Sequence, residues 1–119
     1  MTIAPVFDCG SSLFPQIDDD LIQKVMASKA EMNARVYDIP TSAIVMDKKR
    51  LNYFKFITSL EYEGCNEAIK RIVPRIDLGQ VNELIDHTEQ ASDLLKTFLK
   101  KILRMRKEMI LDVALAKLV

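Results

Sequence analysis

The sequence predicts a mainly α-helical fold with a short strand near the N-terminus and a long helix at the C-terminal end. Two patterns lead to this fold class. Apolar residues recur every three or four positions after residue 52, and residues 89–118 contain neither Gly nor Pro. No segment beyond Phe7 alternates strictly between polar and apolar residues, so we expect little regular sheet. The 119 residues, 49% hydrophobic and 29% charged, suit one folded domain over residues 1–119.

The first half of the chain predicts short elements joined by irregular segments. Residues 3–7, IAPVF, read as an extended segment because Pro5 is tolerated on an edge strand. The loop DCGSSLFPQ follows. Three aspartates at 18–20 precede apolar residues and complement a helix dipole, so a helix is expected over residues 18–28. A short helical turn near 30–35, extended chain and a turn at 47–50 complete this half.

The second half predicts four helices with identifiable ends. Asn52 caps a helix that Gly64 closes, and Glu63 or Asn66 opens the next, which Pro74 interrupts. Asp77 caps a third helix, in which Leu78, Val81, Leu84 and Ile85 keep the helical period. The last helix covers residues 89–118, with a possible bend. The side chains expected on its buried face are Ala91, Leu95, Phe98, Ile102, Met105, Met109, Val113 and Ala116.

Composition excludes several function classes. The formal net charge is +0, so the basic excess typical of a direct nucleic-acid binder is missing. No apolar run approaches the roughly 18 residues that cross a membrane. Two cysteines fit a reduced cytoplasmic chain. Three scattered glycines and the single His87 argue against a phosphate-cradling loop or a multi-histidine metal site, and thus against a self-contained enzyme.

Asp8 is the main candidate for chemistry. It ends the predicted strand in V-F-D-C-G, two residues before Gly10. An acid on a glycine-relaxed turn after a strand is how kinase-like folds hold magnesium against nucleotide phosphates. On these residues alone, an Asx-turn in which the carboxylate caps nearby amides is the favoured alternative.

A longer pattern changes this weighting. The string IAPVFDCGSSLFPQ, together with RVYDIPTSAIVMDKKRLNYFKFI and CNEAIKRIVPRI, resembles the C-terminal part of HipA-like serine/threonine protein kinases of bacterial toxin–antitoxin pairs. In that family an L-A-P-x-Y/F-D-x-x-S string follows the catalytic loop, and its aspartate binds magnesium. The residues that match this string are Ala4, Pro5, Phe7, Asp8 and Ser11. The resemblance implies a helical C-lobe subdomain of a kinase-like fold, with Asp8 as a metal ligand and Mg²⁺ and ATP as the cofactors of the parent family.

The family's nucleotide-binding lobe, ATP lysine and catalytic loop cannot be placed in this sequence. We therefore expect no catalytic residue here and no tight binding of ATP or Mg²⁺ by this chain alone. The chain is expected to be a truncated product or one half of a split kinase. Its expected partner is the missing lobe or an antitoxin-like protein. The alternative is a helical protein–protein interaction module without catalysis.

The predicted strand at residues 3–7 has no pairing partner in the sequence, and single strands leave backbone groups unsatisfied. We favour a homodimer formed through residues 1–15, with disorder or monomeric refolding of this segment as alternatives.

Other polar residues receive structural interpretations. His87 is interpreted as a helix-end histidine, and Cys9 and Cys65 as packing residues. Residues 48–50 form a basic turn. A basic stretch in the last helix could bind phosphate or an acidic partner, but a solvated face is favoured because acids are interleaved with it. The cations of this stretch are Lys96, Lys100, Lys101, Arg104, Arg106 and Lys107.

Overall fold

The computed structural model describes residues 13–14, 17–39 and 45–118. These residues form seven α-helices and one two-stranded hairpin, which confirms the mainly α fold class. The elements in chain order are α1 (Asp19–Met26), α2 (Lys29–Tyr37), β1 (Val45–Met46), β2 (Lys49–Arg50), α3 (Tyr53–Ser59), α4 (Glu63–Ile72), a 3₁₀ turn (Val73–Arg75), α5 (Leu78–Asp86), α6 (Asp93–Arg106), a π-helical segment (Lys107–Leu111) and α7 (Asp112–Leu118).

Helices α1 and α2 begin at side-chain caps. The Asp18 carboxylate accepts a hydrogen bond from the Leu21 N–H at 2.8 Å, and the Ser28 hydroxyl accepts one from the Glu31 N–H at 3.2 Å. The helix predicted over residues 18–28 is thereby confirmed. The helical turn predicted near 30–35 is longer than expected and runs over the whole of α2.

All of the β-sheet in the described residues belongs to one two-stranded hairpin. Its strands pair antiparallel, with Val45 opposite Arg50. Asp47 and Lys48 both have positive φ, 51° and 65°, which is the geometry of a two-residue turn that matches the twist of paired strands. The turn predicted at residues 47–50 is found at residues 47–48, and residues 49–50 form β2.

The boundary between α3 and α4 differs from the prediction. Asn52 caps α3 as expected, but α3 ends at Ser59, and Gly64 lies inside α4 instead of closing α3. Leu60 takes the left-handed conformation, with φ at 60°, and so reverses the chain before Gly64. The Asn66 amide stabilises this reversal by donating to the Leu60 carbonyl at 2.9 Å.

Asp77 caps helix α5, because its carboxylate accepts from the Gly79 N–H at 2.9 Å as predicted. Leu84, predicted to face the core, is 73% exposed, and Ile85 is the buried residue of this helix. The last helix begins at Asp93 and not near residue 89, because the Ser92 hydroxyl caps it by accepting from the Leu95 N–H at 3.1 Å.

Residues 93–118 form one continuous helical rod, called here the C-terminal rod, as predicted. Within its π-helical segment the Asp112 N–H donates to the Lys107 carbonyl, five residues back. This wider turn adds one residue and rotates the buried stripe. The predicted core residues Val113 and Ala116 are therefore exposed, while Ile110 and Ala114 are buried.

Two apolar clusters form the core, and both lie on the C-terminal rod. The larger one joins α1 and α2 to α6 and the π-helical segment. Its buried members are Ile22, Val25, Met32, Val36, Phe98, Ile102 and Ile110. The smaller cluster joins α4 and the 3₁₀ turn to α7 through Ile69, Val73 and Ala114. Ile57 of α3 and Leu111 of the π-helical segment pack against both clusters, which links them.

Candidate functional site

Asp8, the magnesium ligand expected from the sequence, lies outside the described residues. So do Cys9 and the strand predicted over residues 3–7. The homodimer predicted through residues 1–15 also involves a segment of which the structure describes only residues 13–14. These expectations stay predictions. Phe14, six positions after Asp8, is where the structure shows this part of the chain meeting the helical body.

Phe14 lies in a cluster of aromatic and basic side chains, called here the Phe14 cluster. Its ring centroid is 6.0 Å from that of the fully buried Phe98. The guanidinium groups of Arg35 and Arg106 lie 5.8 and 5.4 Å from the Phe14 centroid, within the range of cation–π attraction. Phe14 has a φ of 54°, which is unusual for a bulky side chain. The ring contacts therefore hold a strained turn against α2 and α6.

Arg106 also closes the C-terminal end of α2. Its Nε and Nη2 donate to the Arg35 carbonyl at 3.2 and 3.0 Å, and Nη2 donates to the Ile39 carbonyl at 3.3 Å. Carbonyls in the last turn of a helix have no partner within the helix, so these bonds satisfy groups that would otherwise need water. Burial lowers the pKa of Arg106, and the neighbouring Tyr53 partly offsets this.

Asn52 completes the same junction from α3. Its side-chain oxygen accepts from the Lys55 N–H at 3.1 Å, and its amide nitrogen donates to the Tyr37 carbonyl at 2.8 Å. One side chain thus caps the start of α3 and the end of α2. The adjacent Tyr53 hydroxyl is buried and has no hydrogen-bond partner among the described residues. Burial raises the pKa of Tyr53 above its usual value, with Arg106 acting against this shift and Asp38 adding to it.

The basic stretch of the C-terminal rod, for which the sequence favours a solvated face, divides into cations with partners and cations that form no ion pair within the described residues. Arg106 belongs to the Phe14 cluster, and Lys107 contacts both carboxylate oxygens of Asp112 at 2.9 and 3.1 Å. The Lys100 ammonium pairs with the Asp86 carboxylate, and the Lys96 ammonium donates to the Asp86 carbonyl at 3.0 Å. Lys96, Lys100 and Arg106 thus contact neighbouring helices, and Lys107 forms an ion pair within the rod.

An open groove of about 420 Å³ lies between α5 and α6 and is called here the α5–α6 groove. Its lining combines three cations, two neutral polar side chains and one aliphatic side chain. The residues are Leu78, Asn82, Thr97, Lys100, Lys101 and Arg104. Lys101 and Arg104 form no ion pair within the described part of the chain. Such a lining attracts anionic groups.

The remaining candidates have structural roles or no assigned chemistry. His87 caps the C-terminal end of α5, with its Nδ1 2.7 Å from the Glu83 carbonyl oxygen. Cys65 is a half-buried free thiol at the start of α4. The basic residues 48–50 lie exposed in the hairpin.

The described residues contain no cluster of three or more His, Cys, Asp or Glu side chains suited to a metal ion. Within residues 13–14, 17–39 and 45–118, no helix combines the length and apolar character needed to span a membrane.

Sequence reasoning missed Arg35, Tyr53 and the second role of Asn52, because each depends on contacts between helices. In the sequence, the best indication of the Phe14 cluster is Arg106. It is a cation that lies between apolar residues of the buried stripe of α6. That position favours a basic side chain whose stem is buried and whose charge finds protein acceptors.

Arg106→Ala should lower the free energy of unfolding by about 2–4 kcal/mol, because it leaves carbonyls at the end of α2 unpaired and removes charged hydrogen bonds. Arg104→Ala, two positions away and exposed, should change it by less than about 0.5 kcal/mol. Urea denaturation followed by circular dichroism measures both values. Equal effects of the two variants would contradict the assigned role of Arg106.

Asp86→Asn should remove a pH-dependent contribution to stability. The hydrogen bond from Lys100 holds the pKa of Asp86 below its usual value of 3.8, and the charges of Lys100, Lys96 and His87 add to this while desolvation opposes it. A lowered folded-state pKa stabilises the protein above the unfolded-state pKa, and the stabilisation is lost as the pH falls through the folded-state pKa.

The difference in melting temperature between the native chain and Asp86→Asn should therefore be present at pH 7 and disappear under strongly acidic conditions. Glu89→Gln, an exposed change in the following turn, serves as the control and should show no such trend. A difference that persists unchanged into acid would contradict the Lys100–Asp86 assignment.

Comparison with known proteins finds similarity to part of a protein kinase. No protein-family model matches the chain. Over 113 residues the chain is 45% identical to the serine/threonine-protein kinase CtkA of Helicobacter pylori strain J99, a match that covers 94% of this chain and 35% of that kinase. The chain therefore spans about a third of the length of this curated relative.

A crystal structure of the Helicobacter pylori proinflammatory kinase CtkA is similar to this fold, with a TM-score of 0.90 and 44% sequence identity. The match covers 98% of this chain and 42% of that chain. In both sequence and helical fold, the chain is thus similar to a part of a serine/threonine-protein kinase, and this similarity is not specific to the HipA-like subgroup.

Proposed function

We propose that these residues form the C-terminal part of the catalytic lobe of a serine/threonine protein kinase and act together with a nucleotide-binding part. The observation that carries this proposal is the 45% identity to CtkA over 94% of the chain. The TM-score of 0.90 to a CtkA chain supports it independently of sequence alignment.

Asp8 is the residue proposed to hold magnesium. Mg²⁺ in kinase sites is bound by one or two carboxylates together with substrate phosphates, so a single aspartate is a sufficient contribution from this segment. When bound, the metal would neutralise charge on the phosphates of ATP during phosphoryl transfer. The Phe14 cluster supports this role because it fixes the chain six residues after Asp8 to the rigid core at Phe98.

The narrower parts of the proposal rest on the amino-acid sequence alone. They are the HipA-like subgroup, an antitoxin-like protein as a partner, self-association through residues 1–15 and a cytoplasmic location. That residues 1–119 form one domain is also proposed, and the contacts of Ile57 and Leu111 with both core clusters support it.

Calorimetry with ATP and Mg²⁺ tests the proposal in two steps. The chain alone should show no micromolar affinity, because positioning and charge stabilisation of the phosphoryl group also need an ATP lysine and a catalytic loop. Adding the part of CtkA that the chain does not match should produce ATP binding and transfer of phosphate from γ-labelled ATP to protein.

Asp8→Asn should then abolish phosphate transfer while circular dichroism stays unchanged. Asp20→Asn, an exposed change in α1, is the matched control and should keep full activity. Micromolar ATP binding by the chain alone, or full activity of Asp8→Asn in the mixture, would overturn the proposal.

A further inference from the structure

The cationic lining of the α5–α6 groove indicates a binding role that does not require phosphate transfer and so goes beyond the proposed function. Lys101 and Arg104 lie three positions apart on α6, so their side chains are neighbours on one face of the helix. Both line the groove, and neither forms an ion pair within the described residues. Two adjacent cations therefore line a concave surface without an ion-pair partner among the residues that the structure describes.

Lys100, the third cation of the lining, stabilises the shape of the groove. The Lys100 ammonium pairs with the Asp86 carboxylate at the end of α5, and Lys96 donates to the Asp86 carbonyl at 3.0 Å. These contacts join the two helices that form the walls. The groove is thus preorganised, which lowers the entropic cost of binding a ligand.

The neutral lining residues add recognition elements of two kinds. The Asn82 amide makes no hydrogen bond within the described chain and offers both a donor and an acceptor. Leu78 and the aliphatic stems of the lysines provide apolar surface in the lining of the groove. A ligand that matches this lining carries carboxylates for the cations and an apolar side chain for Leu78.

We propose that the α5–α6 groove docks an acidic segment of a protein partner, with its carboxylates on Lys101 and Arg104 and an apolar side chain against Leu78. Arg104 supplies the planar fork that binds a carboxylate through two hydrogen bonds. A nucleic-acid ligand is disfavoured because the chain has a formal net charge of +0, whereas phosphate-backbone binding draws on a broad basic surface.

Fluorescence anisotropy on the full chain tests the proposal. The probe is a short fluorescein-labelled peptide of glutamates interrupted by leucines, and the comparison peptide has lysine in place of each glutamate. The acidic peptide should bind and the basic one should not. Rising salt should weaken the binding, because the Debye length falls from about 10 Å at 0.1 M to about 3 Å at 1 M.

The double variant Lys101→Glu/Arg104→Glu should weaken peptide binding about tenfold or more, as expected for loss of two close charge pairs with repulsion in their place. The matched control Lys48→Glu/Lys49→Glu makes the same change in net charge on the exposed hairpin and should bind the peptide unchanged. Circular dichroism establishes that both variants are folded, and Lys101→Ala/Arg104→Ala replaces the first variant if it is not.

Three results would overturn the proposal. They are no binding of the acidic peptide, equal weakening by the groove and hairpin variants, and tighter binding of a single-stranded oligonucleotide through Lys101 and Arg104.

Discussion

The burial of two apolar faces of the C-terminal rod is the constraint on which the rest of the structure depends. Helices α1 to α5 contain between 7 and 10 residues each. Helices shorter than about 12–15 residues are marginal in water by themselves, so these five depend on tertiary packing. Phe98 and Ile102 provide that packing for α1 and α2, and Ala114 provides it for α4. The rod is therefore the scaffold, and its partners gain their order from it.

The π-helical segment allows one rod to serve two clusters. A regular α-helix would continue the stripe of Phe98 and Ile102 towards Val113, whereas the extra residue turns Ile110 and Ala114 inward. The same wide turn brings Lys107 close to Asp112, which is five positions further along the chain. The two charged side chains pair with each other where the buried stripe rotates. Arg106 lies directly before this segment and closes the end of α2. The place where the rod changes register thus lies next to Arg106, whose guanidinium also contacts the Phe14 ring.

The features that local chemistry determines were predictable from the sequence. The caps predicted at Asn52 and Asp77 follow from side chains that bond the backbone within three residues, and the structure confirms them. Asp18, expected only as an acid in the first turn, is a cap of the same kind. The end of α3 was not predictable in this way, since Leu60 adopts a conformation that local preference assigns to Gly64. The exposed Val113 could have been anticipated, because apolar residues at 110, 111, 114, 115 and 118 shift the period. The acceptors of Arg106 could not be predicted, because they lie about 70 residues away, one in α2 and one just after it.

Native-state hydrogen exchange tests most directly whether the C-terminal rod is the scaffold. Amides in the rod from Phe98 to Ala114 should exchange slowest, at the rate set by global unfolding, because they open only when both clusters are lost. Amides of the hairpin and of α3, which has no fully buried residue, should exchange faster through local opening. Slowest exchange in α1 and α2, with the rod opening independently of them, would contradict the account.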